Sequence, residues 1–157
     1  MKKLIKALTL TLLCLAFVAC SSNTNSVALK DGMTVQDVVT LVGEKAPIQL
    51  PMELDETLAV DLANLNLDDV EDFAITKAGT MTSADIIAIV EAKEGKIESV
   101  KASLEKMLET EKQNAYLPDQ KEKVENALLT EKGNYVILLV NNDMKAAEEA
   151  VNECFQN

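Results

Sequence analysis

Cysteines and clustered carboxylates are the residues of this chain whose types and spacing could do chemistry. Cys20 follows Phe17-Val18-Ala19, and before them stand a basic start (Lys2, Lys3, Lys6) and an apolar run from Ala7 to Ala19. A small residue directly before a cysteine, at the end of such a run, is the layout of a lipoprotein signal. There the chemistry is a thioether between the cysteine sulfur and diacylglycerol. Phe17 departs from the aliphatic residue usual at its position. The run of about 13 residues is shorter than the roughly 20 needed to span hydrocarbon as a helix. The sequence therefore predicts a signal peptide over 1–19, lipidation at Cys20, and anchoring to the extracytoplasmic face of the cell membrane. Acyl chains on Cys20 are the expected membrane contact, since two or more make anchoring stable.

The acidic run Asp68-Asp69-Val70-Glu71-Asp72 is the best candidate for a hard cation. A calcium loop needs alternating oxygen ligands, a central glycine and a distal glutamate, and this stretch lacks that glycine. Its spacing suits a helix-capping turn before a strand. Glu109 with Glu111, and Glu148 with Glu149, are neighbours that do not share a helix face, so they read as solvated surface. Cys14 leaves with the signal and Cys20 is capped. Cys154 is then the one free thiol, on the apolar side of a helical pattern (Met144, Ala147, Val151, Phe155), and is expected to be buried packing.

Absences narrow the chemistry further. The chain has no histidine, arginine or tryptophan. Ser-His-Asp and Cys-His catalysis and histidine-ligated zinc are thereby excluded, as are bidentate arginine clamps. The net charge is −11, and removing residues 1–19 takes away three lysines and no acid, leaving about −14. Such a surface repels phosphate, so no nucleic-acid partner is expected. No phosphate-cradling glycine loop occurs, and no cofactor, metal or catalytic residue is assigned.

The elements that position these residues follow from pattern. Residues 20–30 carry the lipidated cysteine and a polar tether, and residues 31–157 form a single domain. The tether, about 13 residues to the first helix, reaches roughly 45 Å when extended. Thr34 and Asp37 form a capping box ahead of Val35, Val38, Val39 and Val42. A second short helix follows Asp55, with Leu58, Leu62 and Leu65 inward. Strands are expected at about Phe73–Lys77 and Asp85–Ala92, the latter apolar on both faces and so covered on both. A long helix runs from Lys96 to about Ala115, after which Tyr116 is expected to pack across the helix end, the alternative being an exposed aromatic contact at Tyr116-Leu117-Pro118. Asp119 and Glu122 cap a helix containing Val124, Ala127 and Leu128. Strands at Leu129–Glu131 and Tyr135–Val140 and a helix from Met144 to Phe155 complete the chain.

The fold class predicted is α+β: a four-stranded antiparallel sheet from two β-β-α units with helices packed on it, preceded by short N-terminal helices. Ile75-Thr76-Lys77-Ala78-Gly79 echoes Leu129-Thr130-Glu131-Lys132-Gly133. A duplication about a two-fold axis would give strand order 1-2-4-3 with both long helices on one face. The alternative is that two β-β-α units simply look alike at this level.

The succession of these segments resembles an uncharacterised Firmicutes lipoprotein family, domain-of-unknown-function family 4358. The residues that carry it are Leu67–Phe73, Ser83–Lys93, Tyr116-Leu117-Pro118-Asp119-Gln120 and Lys132–Val140, in order within 50–157. The resemblance implies an envelope address and a domain type, and no catalytic residues. The expected function is a non-catalytic interaction or binding module at the cell envelope, with an envelope protein as partner. The alternatives are a small-ligand or cation-binding lipoprotein using an acidic pocket at Asp68–Asp72, and a hydrolase using carboxylates alone.

Overall fold

The computed structural model describes residues 27–156, so Cys14, Cys20 and the expected signal lie outside the described residues. Helix α1 (Val35–Lys45) starts where Thr34 and Asp37 complete their reciprocal capping box. Its valines at 35, 38, 39 and 42 recur at helical spacing and are all buried. The chain continues through β1 (Pro51–Glu53), α2 (Glu56–Ala63), a tight turn at Leu67–Asp69, β2 (Val70–Ala78) and β3 (Ile86–Ala92). Then come α3 (Ile97–Asn114), α4 (Pro118–Glu125), β4 (Leu128–Lys132), β5 (Tyr135–Val140) and α5 (Met144–Cys154).

The strands form one antiparallel sheet in the order β1-β2-β3-β5-β4. Five strands replace the four expected. The order of the four foreseen strands is the 1-2-4-3 of the sequence reading, and β1 is added outside β2. Its three residues begin with a proline and alternate too briefly to be read as a strand. Pairing with Thr76–Ala78 holds it in place.

The two long helices do not share a face. Val100, Leu104 and Met107 of α3 pack on Ile86, Ala88, Val90, Val136 and Leu138. Ala147, Ala150 and Val151 of α5 join α1 over Ile87, Ile89, Ile137 and Leu139. The two-fold duplication therefore fails at its last element. Asn141, directly after β5, donates from Nδ2 to the Ala46 carbonyl at the end of α1 (3.0 Å), which ties the start of α5 to α1's layer. Asp143 then caps α5 through the Ala146 amide. β3, apolar on both faces, is buried throughout its central residues as expected.

Two smaller expectations change. α2 ends at Asn64 in the left-handed region (φ 57°), so Leu65 folds back with its N–H on the Ala59 carbonyl and is buried, while Leu62 is exposed. α4 has Pro118 in its first turn, where a missing N–H costs nothing. Its end is closed not by Asp119 but by Gln120, whose Oε1 accepts from the Tyr116 and Leu117 amides. Leu128 has already left the helix and opens β4.

Candidate functional site

Register gives the sheet two distinct ends. Ala78, Ile86, Val140, Leu128 and Pro51 lie at one end, Ala92, Tyr135 and Lys132 at the other. The N-terminal segment meets the second end. A Cβ on Gly133, at the β4–β5 turn, would fall 2.2 Å from the Val27 carbonyl oxygen. Leu29 bridges Phe155, and the Lys30 amide donates to the Cys154 carbonyl (2.8 Å). Residues 27–30, assigned to the tether by composition, therefore run along the folded domain.

The first end carries the largest exposed apolar side chains. Met81 in the β2–β3 turn is 83% exposed, Leu50 before β1 71%, and Tyr116 after α3 57%. Tyr116 thus does not pack across the helix end as expected. Leu50 sits at φ 46°, a left-handed conformation that costs a non-glycine residue of the order of 1 kcal/mol. Its carbonyl is held by the Gly79 amide (2.8 Å), where a Cβ would crowd that oxygen at 2.9 Å. A cleft of about 350 Å³ opens beside Met81 and Tyr116, lined also by Lys77, Ser83, Glu111 and Gln120. Lys77 and Glu111 form an ion pair across it.

Beneath the cleft lies a buried polar cluster that sequence reasoning missed. Lys123 Nζ stands 2.9 Å from Asp85 Oδ1 and 3.2 Å from the outer Asp119 carboxylate. It also donates to Ser83 Oγ (3.2 Å), and Ser83 donates to Asp85 Oδ2 (2.7 Å). Asp85 Oδ1 is buried with the Lys123 ammonium as its polar neighbour. Gln120 Nε2 completes the anchorage by donating to the Met81 carbonyl (2.9 Å). The Asp119/Lys123 spacing of four was the one signal available in the sequence. Ser83 and Asp85 are about forty residues away and met no pattern.

A serine beside a lysine is also how Ser–Lys hydrolases activate a nucleophile, which needs a neutral amine as base. Here the proton inventory runs the other way. Burial alone would lower Lys123, but the Asp85 and Asp119 carboxylates outweigh it and hold the ammonium above its ordinary value. Ser83 meanwhile spends its proton on Asp85. The cluster fastens the β2–β3 turn to α4.

The acidic run is also engaged internally. Asp69 takes Lys96 at 2.8 Å, Ser99 Oγ at 2.7 Å and Asn66 Nδ2 at 3.0 Å. Lys96 first, then Ser99, holds its carboxyl below the usual range. Lys93 Nζ donates to the Asp68 carbonyl (2.9 Å), and the β2 register shifts between Val70 and Asp72 as a bulge. The run pins the start of β2 to the β3–α3 turn. Cys154 is fully buried, its Sγ 3.2 Å from the Ala150 carbonyl, and burial, with help from Glu153, pushes its thiol up.

Alkaline pH should unfold the domain through two groups acting in the same direction. Burial, reinforced by the cross-strand Glu91 charge, pushes the Tyr135 phenol from 10.0 up to about 12. The unfolded chain therefore loses that proton first, and stability falls as pH rises between those values. The Lys123 contribution is complete below 10.5 and is lost as pH climbs through the raised folded value. Circular dichroism along a pH series should show this decline, made shallower by Tyr135→Phe; a slope unchanged by that substitution would rule out the phenol as a contributor.

A family model described as domain of unknown function (DUF4358) matches residues 45–141, from the last residue of α1 through β5. Comparison with curated proteins and with solved structures returns no match. On the strength of a match covering well over half of its length, the chain belongs to the DUF4358 family.

Proposed function

We propose that this protein is a lipid-anchored, extracytoplasmic lipoprotein whose domain is a non-catalytic interaction module for an envelope protein. The observation that carries the reading is the polarity of the sheet. The segment leading back to Cys20 meets the domain at the β4–β5 turn, while Met81, Leu50 and Tyr116 cluster at the opposite end. Exposed apolar groups gathered in one place mark contact surfaces, whereas scattered ones do not. With Val27 held against the domain, the span back to Cys20 is at most roughly 25 Å. That length keeps the domain close to the membrane and turns its apolar end away from the anchor.

Cell fractionation and crosslinking test both halves. Cys20→Ser should move the full-length chain out of the membrane fraction with its circular dichroism unchanged, and retention in the membrane would refute the anchor. Crosslinked membranes should yield a reproducible partner with the wild-type chain and lose it with Met81→Glu combined with Tyr116→Ala. Both positions are exposed, so stability should change by no more than about 0.5 kcal/mol each. Equal recovery by that variant would show that the apolar end is not the contact.

A further inference from the structure

The two edges of the sheet are not equivalent. Ala92 N–H donates to the Asn134 carbonyl (2.8 Å), which fixes the phase of the ladders on both sides of β5. Residues 135, 137 and 139 therefore address β4, and Leu128, Thr130 and Lys132 answer them. The peptide groups of Leu129 and Glu131 are left pointing away from the sheet. At the other edge, Gly79 N–H to Leu50 O and Leu54 N–H to Ile75 O turn residues 51 and 53 outward. Pro51 has no N–H, so that edge is blunted, as natural edges commonly are.

β4 has no such protection. Among the described residues β5 is its only strand neighbour. It contains no proline, its register with β5 is unbroken, and its two charges are each engaged by a neighbour within the domain. Glu131 pairs with Lys101 (2.7 Å), and Lys132 lies 5.6 Å from the Phe155 ring centroid. A groove of about 220 Å³ runs between β4 and α5, lined by Ile137, Leu139 and Val151, with Thr130 and Lys132 on the β4 side and Glu148 on α5.

We infer that the β4 edge and this groove form a strand-addition site for an extended segment of a partner protein, basic and apolar in alternation. Alternating donors and acceptors along Leu129 and Glu131 are matched by another backbone in extended form. Side chains on one face of that strand meet the apolar lining of the groove, and the cationic ones between them turn to the α3 side, where Glu98 and Glu105 flank the Lys101–Glu131 pair. A second copy of this chain is the poorer fit. Each copy carries a net charge of −11, and joining two β4 edges antiparallel sends their Val27 ends to opposite ends of the joined sheet. The site is separate from the apolar end, and only the preference for a partner over a second copy rests on the anchored reading above.

The test uses the full-length chain in detergent with amide hydrogen exchange read residue by residue. The probes are a short synthetic peptide alternating valine with lysine and its valine–glutamate counterpart. The lysine peptide should slow exchange at the Leu129 and Glu131 amides about tenfold or more, and the glutamate peptide should not. Glu131→Pro removes an outward donor without touching the β4–β5 ladder and should weaken the lysine peptide about tenfold, while Glu131→Gln should retain it. If Glu131→Pro unfolds by circular dichroism, exposed Glu98→Lys combined with exposed Glu105→Lys still decides, since it should reverse the preference between the two peptides. Absence of protection at millimolar peptide would overturn the site. Protection already present without peptide would overturn the partner assignment: dependence on protein concentration would name a second copy as occupant, and independence the chain's own N-terminal segment.

Discussion

Asp85→Ala is expected to cost about 3–5 kcal/mol in chemical denaturation, a loss typical of removing one partner from a buried ion pair. Asp85 and Lys123 are only 3% and 5% exposed, so neither charge can turn to water when the other is removed. Asp119 is an incomplete substitute, being 61% exposed and 3.2 Å from Nζ. Ser83 would lose its acceptor at the same moment, adding an unmet buried O–H donor to an ammonium left with only the exposed Asp119 carboxylate. The combined replacement Asp85→Leu with Lys123→Met should recover most of the loss, because apolar residues of similar volume commonly match or exceed a buried pair in stability. That pattern of a large single effect and a small double effect identifies an architectural ion pair. Equal losses in the single and double variants would mean that the cluster contributes through something other than charge pairing.

The reason this cluster escaped sequence reasoning is distance along the chain. Asp85 sits at the mouth of a strand and Lys123 within a short helix, and each looks ordinary among its neighbours. Only the fold lays α4 across the β2–β3 turn and brings them together. Features set by local spacing were legible: the Thr34–Asp37 capping box, the doubly apolar β3, the α3 stripe and the burial of Cys154. Features set by long-range competition were not. β1 exists because β2 offers it an edge, and α5 crosses to the α1 layer because Asn141 holds the Ala46 carbonyl. The Asp68–Asp72 run shows the intermediate case. Its place in a turn before a strand was readable locally, whereas the cap of that turn is Asn66, and the ligands that occupy Asp69, Lys96 and Ser99, come from the start of the next helix.

Leu138→Ala and Leu139→Ala should each lose about 2–5 kcal/mol, and by similar amounts. The two residues are adjacent in β5 and fully buried, yet they point to opposite faces and share no cluster: Leu138 packs under α3, Leu139 under α1 and α5. A sheet with one solvated face would show one costly substitution and one nearly neutral one. The comparison also decides the standing of the α1/α5 layer, since the family match begins at the end of α1 and stops before α5. If that layer were a dispensable addition, Leu139 would rest on a surface able to relax toward water, and its truncation would be the cheaper of the two. Its complete burial, together with that of Ile87, Ile89 and Ile137 on the same face, instead makes the layer half of the core. Thermal or denaturant midpoints that fall equally for both variants would establish that the folding unit extends beyond the matched stretch at both ends. A Leu139 variant within about 0.5 kcal/mol of wild type would confine it to residues 45–141.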